Sequence, residues 1–124
     1  MNALIGKKVL IVDDNPMNQK LMQIYLKAQQ MDSDIAENGQ DAVAMLSEKS
    51  YDVILMDIQM PVLDGYEATK KIREDLRLVV PIIAMTASSE PDEYEKCLAS
   101  GMNDYISKPF QPPALYGVLL KHLE

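Results

Sequence analysis

The stretch that decides the fold is Asp52-Val53-Ile54-Leu55-Met56, which ends at Asp57. Its apolar residues run without a polar break, so nothing alternates between a wet and a dry face. A short run of this kind, rich in branched side chains, reads as a strand buried on both faces. Such a strand needs helices above and below it, which points to a parallel sheet. Its last residue is a carboxylate, and a bare carboxylate beside a buried run is costly unless something compensates it.

The flanking sequence has the same rhythm. Lys8 to Val12 is another short β-branched run, and it stops at Asp13-Asp14-Asn15. Pro16 suits the first turn of a helix, with Asn15 as its cap. Met17, Leu21, Ile24 and Ala28 then recur at helical spacing. Ser33 to Ala36 is a weaker strand, Asn38-Gly39 a turn, and Ala42, Met45 and Leu46 a second helical face. After Asp57 comes a loop from Ile58 to Asp64, then a helix from Gly65 to Asp75. Pro81 to Met85 is a fourth strand that ends at Thr86. A helix from Glu90 or Pro91 to Ser100 carries Tyr94, Cys97 and Leu98 on one face, and Gly101 is a left-handed stop for it. Asp104 to Ser107 is a fifth strand, followed by Lys108-Pro109, and Leu115, Val118, Leu119 and Leu123 mark a last amphipathic helix. Strand and helix thus alternate five times, which predicts an α/β fold with a doubly wound, five-stranded parallel sheet and helices on both faces. One domain over residues 1–124 is the expected organisation.

Composition removes several function classes. Lys plus Arg number 12 against 19 Asp plus Glu, a net charge of −7. A nucleic-acid backbone or an anionic membrane would ask for the opposite sign. The single cysteine, Cys97, forms no internal disulfide or cysteine-based zinc cluster, and it suits a reducing cytosol. It reads as a buried apolar residue. His122 is the only histidine, which argues against a Ser-His-Asp triad, and it reads as a solvated helix-end residue. The nine methionines read as core filler, Met56 and Met85 above all. No apolar stretch is long enough to span a bilayer, and a cytoplasmic location follows as the expectation.

Ligands of such sheets bind beyond the carboxyl ends of the strands. Those ends bring Asp13, Asp14, Asp57, Thr86 and Lys108 to one edge. Three carboxylates at close range repel, so either their pKa values rise or a cation enters, and oxygen-only ligands on an open edge suit Mg²⁺. A carboxylate beside Mg²⁺ can attack phosphorus, with an ammonium and a hydroxyl to hold phosphoryl oxygens. Each residue alone also has an ordinary reading. Asp13-Asp14 makes a good helix-entry turn, Thr86 a locally satisfied hydroxyl, Tyr105 a packing residue and Lys108 a surface lysine.

The sequence resembles a receiver domain of bacterial two-component signalling. The resemblance rests on Val9-Leu10-Ile11-Val12-Asp13-Asp14-Asn15, on Asp57-Ile58-Gln59-Met60-Pro61-Val62-Leu63-Asp64-Gly65, on Ala84-Met85-Thr86-Ala87 and on Tyr105-Ile106-Ser107-Lys108-Pro109-Phe110. It covers nearly the whole chain and implies a flavodoxin-like fold. It implies that Asp57 is the phosphoacceptor, that Asp13 and Asp14 hold Mg²⁺, and that the backbone carbonyl of Gln59 completes the metal site. It further implies that Thr86 and Lys108 bind the phosphoryl group, that Tyr105 is an aromatic switch coupled to Thr86, and that the Lys108–Pro109 peptide is cis. The implied partner is a histidine kinase or a histidine phosphotransfer protein, and the implied output face allows a weak homodimer. The Asp13–Gln19 and Asp57–Pro61 text is most similar to receivers of hybrid histidine kinases, and free-standing receivers share it. Two rivals differ in chemistry. A haloacid-dehalogenase-like phosphatase wants a second Asp two residues after its nucleophile, where Gln59 stands. A non-phosphorylated binding module would not need the complete set of side chains.

Overall fold

A computed structural model describes residues 3–58, 60, 63–87, 91–108 and 111–123. Strands β1 (Lys8–Val12), β2 (Asp32–Ala36), β3 (Val53–Asp57), β4 (Ile82–Thr86) and β5 (Asp104–Ser107) alternate with five helices. These are α1 (Pro16–Ala28), α2 (Gly39–Glu48), α3 (Gly65–Glu74), α4 (Pro91–Ser100) and α5 (Pro112–Leu123). The strands form one parallel sheet in the order β2-β1-β3-β4-β5. The expected α/β architecture is the observed one, with boundaries moved by a residue at β2, β3, β4 and the end of α3. Chain direction across the sheet reverses at β1, so the ends of β1 and β3 flank the switch point where ligands of such sheets sit.

Every residue of β3 and β4 is buried. Their side chains still alternate in destination. Leu10, Val12, Ile54, Met56, Ile82 and Ala84 meet Ala42, Leu46, Ala68, Ile72 and Cys97 of α2, α3 and α4. Val9, Ile11, Val53, Leu55, Ile83 and Met85 meet Met22, Leu26, Leu115 and Leu119 of α1 and α5. Two apolar layers therefore sandwich one sheet, and each fully buried Leu or Ile contributes roughly 1.5–3 kcal/mol. Met56, Met85 and Cys97 are core residues as expected.

Local chemistry fixes the helix starts. Asn15 Oδ1 accepts the amides of Met17 and Asn18 at 2.9 and 3.2 Å. Asn38 and Asp64 cap α2 and α3 through the amides of Asp41 and Glu67. Gly101 ends α4 at φ +108. Arg73 then ties α3 to the next turn, donating to the carbonyls of Gly101 and Leu78 and to Asn103 Oδ1, all at 2.8–2.9 Å.

Three expectations are corrected. The α1 stripe of Met17, Leu21 and Ile24 faces outward, with Met17 78% and Ile24 55% exposed, so Met17 is not core filler. The helix carries a second apolar stripe, Met22 and Leu26, and that one enters the core. On α4 Leu98 is exposed, while Cys97 is fully buried. His122 is not a solvated end residue. The last turn of α5 folds beside the start of β5, and Nε2 lies 3.0 Å from Oδ2 of the nearly buried Asp104. Burial opposes ionisation of Asp104, but bonds from His122, the Tyr105 amide and Lys121 outweigh it and hold the carboxyl below its usual range.

Candidate functional site at the carboxyl edge

Register builds the site. Val12 of β1 pairs with Met56 of β3, so the next residues, Asp13 and Asp57, emerge side by side. Asp57 in turn pairs with Met85, and Thr86 with Ser107, which delivers Thr86 and Lys108 to the same edge. The Lys108 amide donates to the Thr86 carbonyl at 2.6 Å and fastens the β5 exit to the β4 end.

Asp13 is fully buried and Asp57 6% exposed, while Asp14 is open to solvent. One carboxylate oxygen from each of the three lies within 4.8 Å of the others. Lys108 Nζ stands 3.3 Å from Asp57 Oδ2 and 3.7 Å from Asp13 Oδ2. Lys108 is therefore no free surface lysine but the counter-charge of the buried pair. Asp13 is held firmly. Its Oδ1 accepts the Asn15 amide at 2.8 Å, and its carbonyl accepts Gln19 Nε2 at 2.6 Å. Its Oδ2 is buried yet accepts no hydrogen bond from the described residues. A buried acceptor of this kind carries a desolvation cost that a bound cation would remove. The donor set is all oxygen, partly open and rich in carboxylate, which fits Mg²⁺.

A cavity of about 200 Å³ opens on this cluster, lined among others by Asp14, Asn18, Asp57, Thr86, Ala87 and Lys108. A larger hollow of about 520 Å³ lies at the opposite end of the sheet, around Asp32 and Tyr51. Its charged groups are largely exposed, with Lys49 Nζ 3.8 Å from Asp34 Oδ2, and the Tyr51 hydroxyl there donates to the same Asp34 oxygen at 2.6 Å. The chemistry belongs to the smaller cavity.

The structure thus brings together Asp13, Asp14, Asp57, Thr86 and Lys108. Tyr105 stays apart from the cavity lining and stacks its ring against Tyr94, with centroids 4.9 Å apart. Gln59 and Pro109, and with them the metal-binding carbonyl and the cis peptide, lie outside the described residues. Sequence reasoning missed Asn18, which lines the cavity. It stands one helical turn after Asp14, and that spacing was the available signal. It also missed that the exposed stripe of α1 begins beside the cavity.

Comparison with known proteins agrees with this geometry. The family model described as "Response regulator receiver domain" matches residues 9–120. Hybrid signal transduction histidine kinase I of Dictyostelium discoideum is 44% identical over 126 residues, which cover 95% of this chain and 7% of that protein. The chain therefore spans a small fraction of such a relative's length. The receiver domain of sensor histidine kinase PA1611 from Pseudomonas aeruginosa PAO1, with magnesium coordinated in its active-site cleft, matches at 42% identity and TM-score 0.86, covering 95% of this chain and 98% of that one. The Saccharomyces cerevisiae receiver domain of Ssk1, solved with the histidine phosphotransfer protein Ypd1, matches at 35% identity and TM-score 0.91, covering 96% and 90%. With its sheet order, its acidic cluster and these matches, the chain belongs to the response regulator receiver domain family.

Proposed function

We propose that this chain is the phosphoacceptor switch of a two-component phosphorelay, operating in the cytoplasm. Asp57 takes the phosphoryl group of a phosphohistidine on a histidine kinase or histidine phosphotransfer protein. A carboxylate oxygen of Asp57 attacks phosphorus in line, the P–N bond breaks, and the imidazole leaves with the electron pair. The observation that carries this reading is Lys108 bridging buried Asp13 and Asp57, with Lys108 and Asp57 lining an open cavity.

Asp13, Asp14 and Asp57 would hold Mg²⁺, with the Gln59 carbonyl as the expected fourth protein ligand. Bound there, the cation neutralises charge on the phosphoryl oxygens. Lys108 gives up part of its contact with Asp57 and meets a phosphoryl oxygen, and the Thr86 hydroxyl donates to another. Positioning and charge stabilisation are the whole of such catalysis, so the chain assists its own phosphorylation. Thr86 on β4 pairs with Ser107 and Ala84 with Tyr105, so Thr86 and Tyr105 lie diagonally, two positions apart, on paired strands. Movement of Thr86 toward phosphate therefore reaches Tyr105, α4 and the output face, where a weak homodimer would form. Differential contacts of a few kcal/mol are enough for such a shift.

The exposed α1 stripe supports a protein donor rather than a free metabolite. Met17, Leu21 and Ile24 form an apolar strip of helix that leads away from the cavity. A helical partner laid on it would carry its phosphohistidine over Asp57. The Ssk1–Ypd1 complex supports the same class of partner.

The test is labelling with a small phosphodonor and Mg²⁺, followed by peptide mass spectrometry. One phosphoryl group is expected, on Asp57, and none in Asp57→Asn. Full labelling of that variant sinks the assignment. Steady turnover of phosphate esters would favour a phosphatase instead.

A further inference from the structure

Two glycines pack closely against Asp57, Ile58 and Leu63. Gly65 opens α3, and a Cβ on it would stand 2.5 Å from the Asp57 carbonyl oxygen and 2.9 Å from Ile58 Cα. Its amide donates to the Ile58 carbonyl at 3.0 Å. Gly65 thus packs directly against the Asp57 backbone. Gly39 opens α2, a helix with no residue in the cavity lining. Yet a Cβ on Gly39 would stand 2.5 Å from the Leu63 carbonyl oxygen and 2.9 Å from the Cβ of buried Ala68. The Gly39 amide donates to that same Leu63 carbonyl at 3.3 Å. These obstacles are a backbone oxygen and a side chain with no rotamer, so neither can swing aside.

Leu63 precedes Asp64, the cap of α3, and Asp64 precedes Gly65, which bears on the Asp57 backbone. The contacts form a chain: α2 start, Leu63 carbonyl, α3 start, Asp57. We infer that Gly39 is a positioning residue for the phosphoacceptor. Having no side chain, it lets α2 seat against Leu63 and so holds Asp57 in register with Asp13 and Lys108. This inference rests on the reading of Asp57 as phosphoacceptor.

Helix propensity points the other way, which makes the test sharp. Ala at the first position of a helix is ordinarily neutral or stabilising relative to Gly. Gly117 in α5, where an added Cβ meets nothing within 4 Å, supplies the control. The full chain and its Gly39→Ala and Gly117→Ala variants are compared by circular dichroism, by calorimetric Mg²⁺ titration and by the rate of labelling with acetyl phosphate. Gly39→Ala is expected to keep its helical signal while Mg²⁺ affinity and labelling rate fall about 10- to 100-fold. Gly117→Ala should match the parent. A Gly39→Ala protein that binds Mg²⁺ and labels as the parent does overturns the inference, whatever its melting temperature. If the variant fails to fold, the parent's own Gly39 amide resonance decides. It should shift when Mg²⁺ and beryllofluoride are added, and a silent resonance overturns the inference. A parent chain that takes up neither Mg²⁺ nor phosphate overturns the functional reading itself, an outcome distinct from either of these.

Discussion

Asp13→Asn should make the protein more stable and functionally worse. Asp13 Oδ2 gains about 4.5 kcal/mol from Lys108 at 3.7 Å, taking an effective dielectric of about 20. Asp57, within 4.8 Å, returns at least about 3.5 kcal/mol of repulsion on the same scale, and Asp14, equally close but open to solvent, adds a screened repulsion of its own. The Coulomb terms therefore nearly cancel, or fall slightly on the repulsive side. What remains is the cost of taking a charged carboxylate out of water, several kcal/mol for a fully buried group. Asn has nearly the same shape, keeps the acceptor for the Asn15 amide and avoids that cost, while Lys108 keeps Asp57 at 3.3 Å. The expected gain is about 1–3 kcal/mol, or a rise in melting temperature of about 4 °C per kcal/mol at this length. Urea and thermal unfolding in chelator would measure it. Mg²⁺ should then close the gap. At one hundred times its dissociation constant it adds about 2.7 kcal/mol to the parent, and much less to a variant that has lost a ligand. A variant that loses 1 kcal/mol or more in chelator would refute the reasoning, since the Asp13–Lys108 pair would then outweigh the burial of the charge.

Two further tests concern other parts of the molecule. Ile24→Asp, on the exposed stripe of α1, should leave stability within about 0.5 kcal/mol but slow phosphotransfer from a phosphohistidine protein about tenfold or more; equal slowing with acetyl phosphate would place Ile24 in the chemistry rather than in docking. Asp104→Asn should cost about 1–3 kcal/mol near neutral pH, because the carboxyl accepts from His122, Lys121 and the Tyr105 amide. The folded protein holds this carboxyl below its ordinary value of 3.8, so its contribution is complete above about pH 5 and fades as pH falls through 3.8 toward the lowered value. Urea midpoints of parent and variant should therefore differ at pH 7 and draw together as pH falls below 3.8; a difference that stays constant down through that range would contradict the assignment.

The alternation of strands and helices, and the residues at which the strands stop, are legible in the order of the amino acids. Short apolar runs ending in Asp13, Asp57 and Thr86 are local signals, because a strand buried on both faces stays apolar until it reaches the edge of the sheet. The parallel arrangement followed, and with it the convergence of five polar side chains on one edge. Which face of α1 enters the core was not legible. Met17, Leu21 and Ile24 have the same helical periodicity as Met22 and Leu26, and only the angle at which β1 delivers the chain, through the Asn15 cap and the Gln19 bond to Asp13, chooses between them. The partner of His122 was equally hidden, since Asp104 lies 18 residues away and meets it only when α5 folds back on β5. The same holds for Lys108. Its charge is written in the sequence, but its place between Asp13 and Asp57 is a product of strand register. Tertiary structure alone decides such contacts, because they depend on distances between elements that the chain's local preferences leave free.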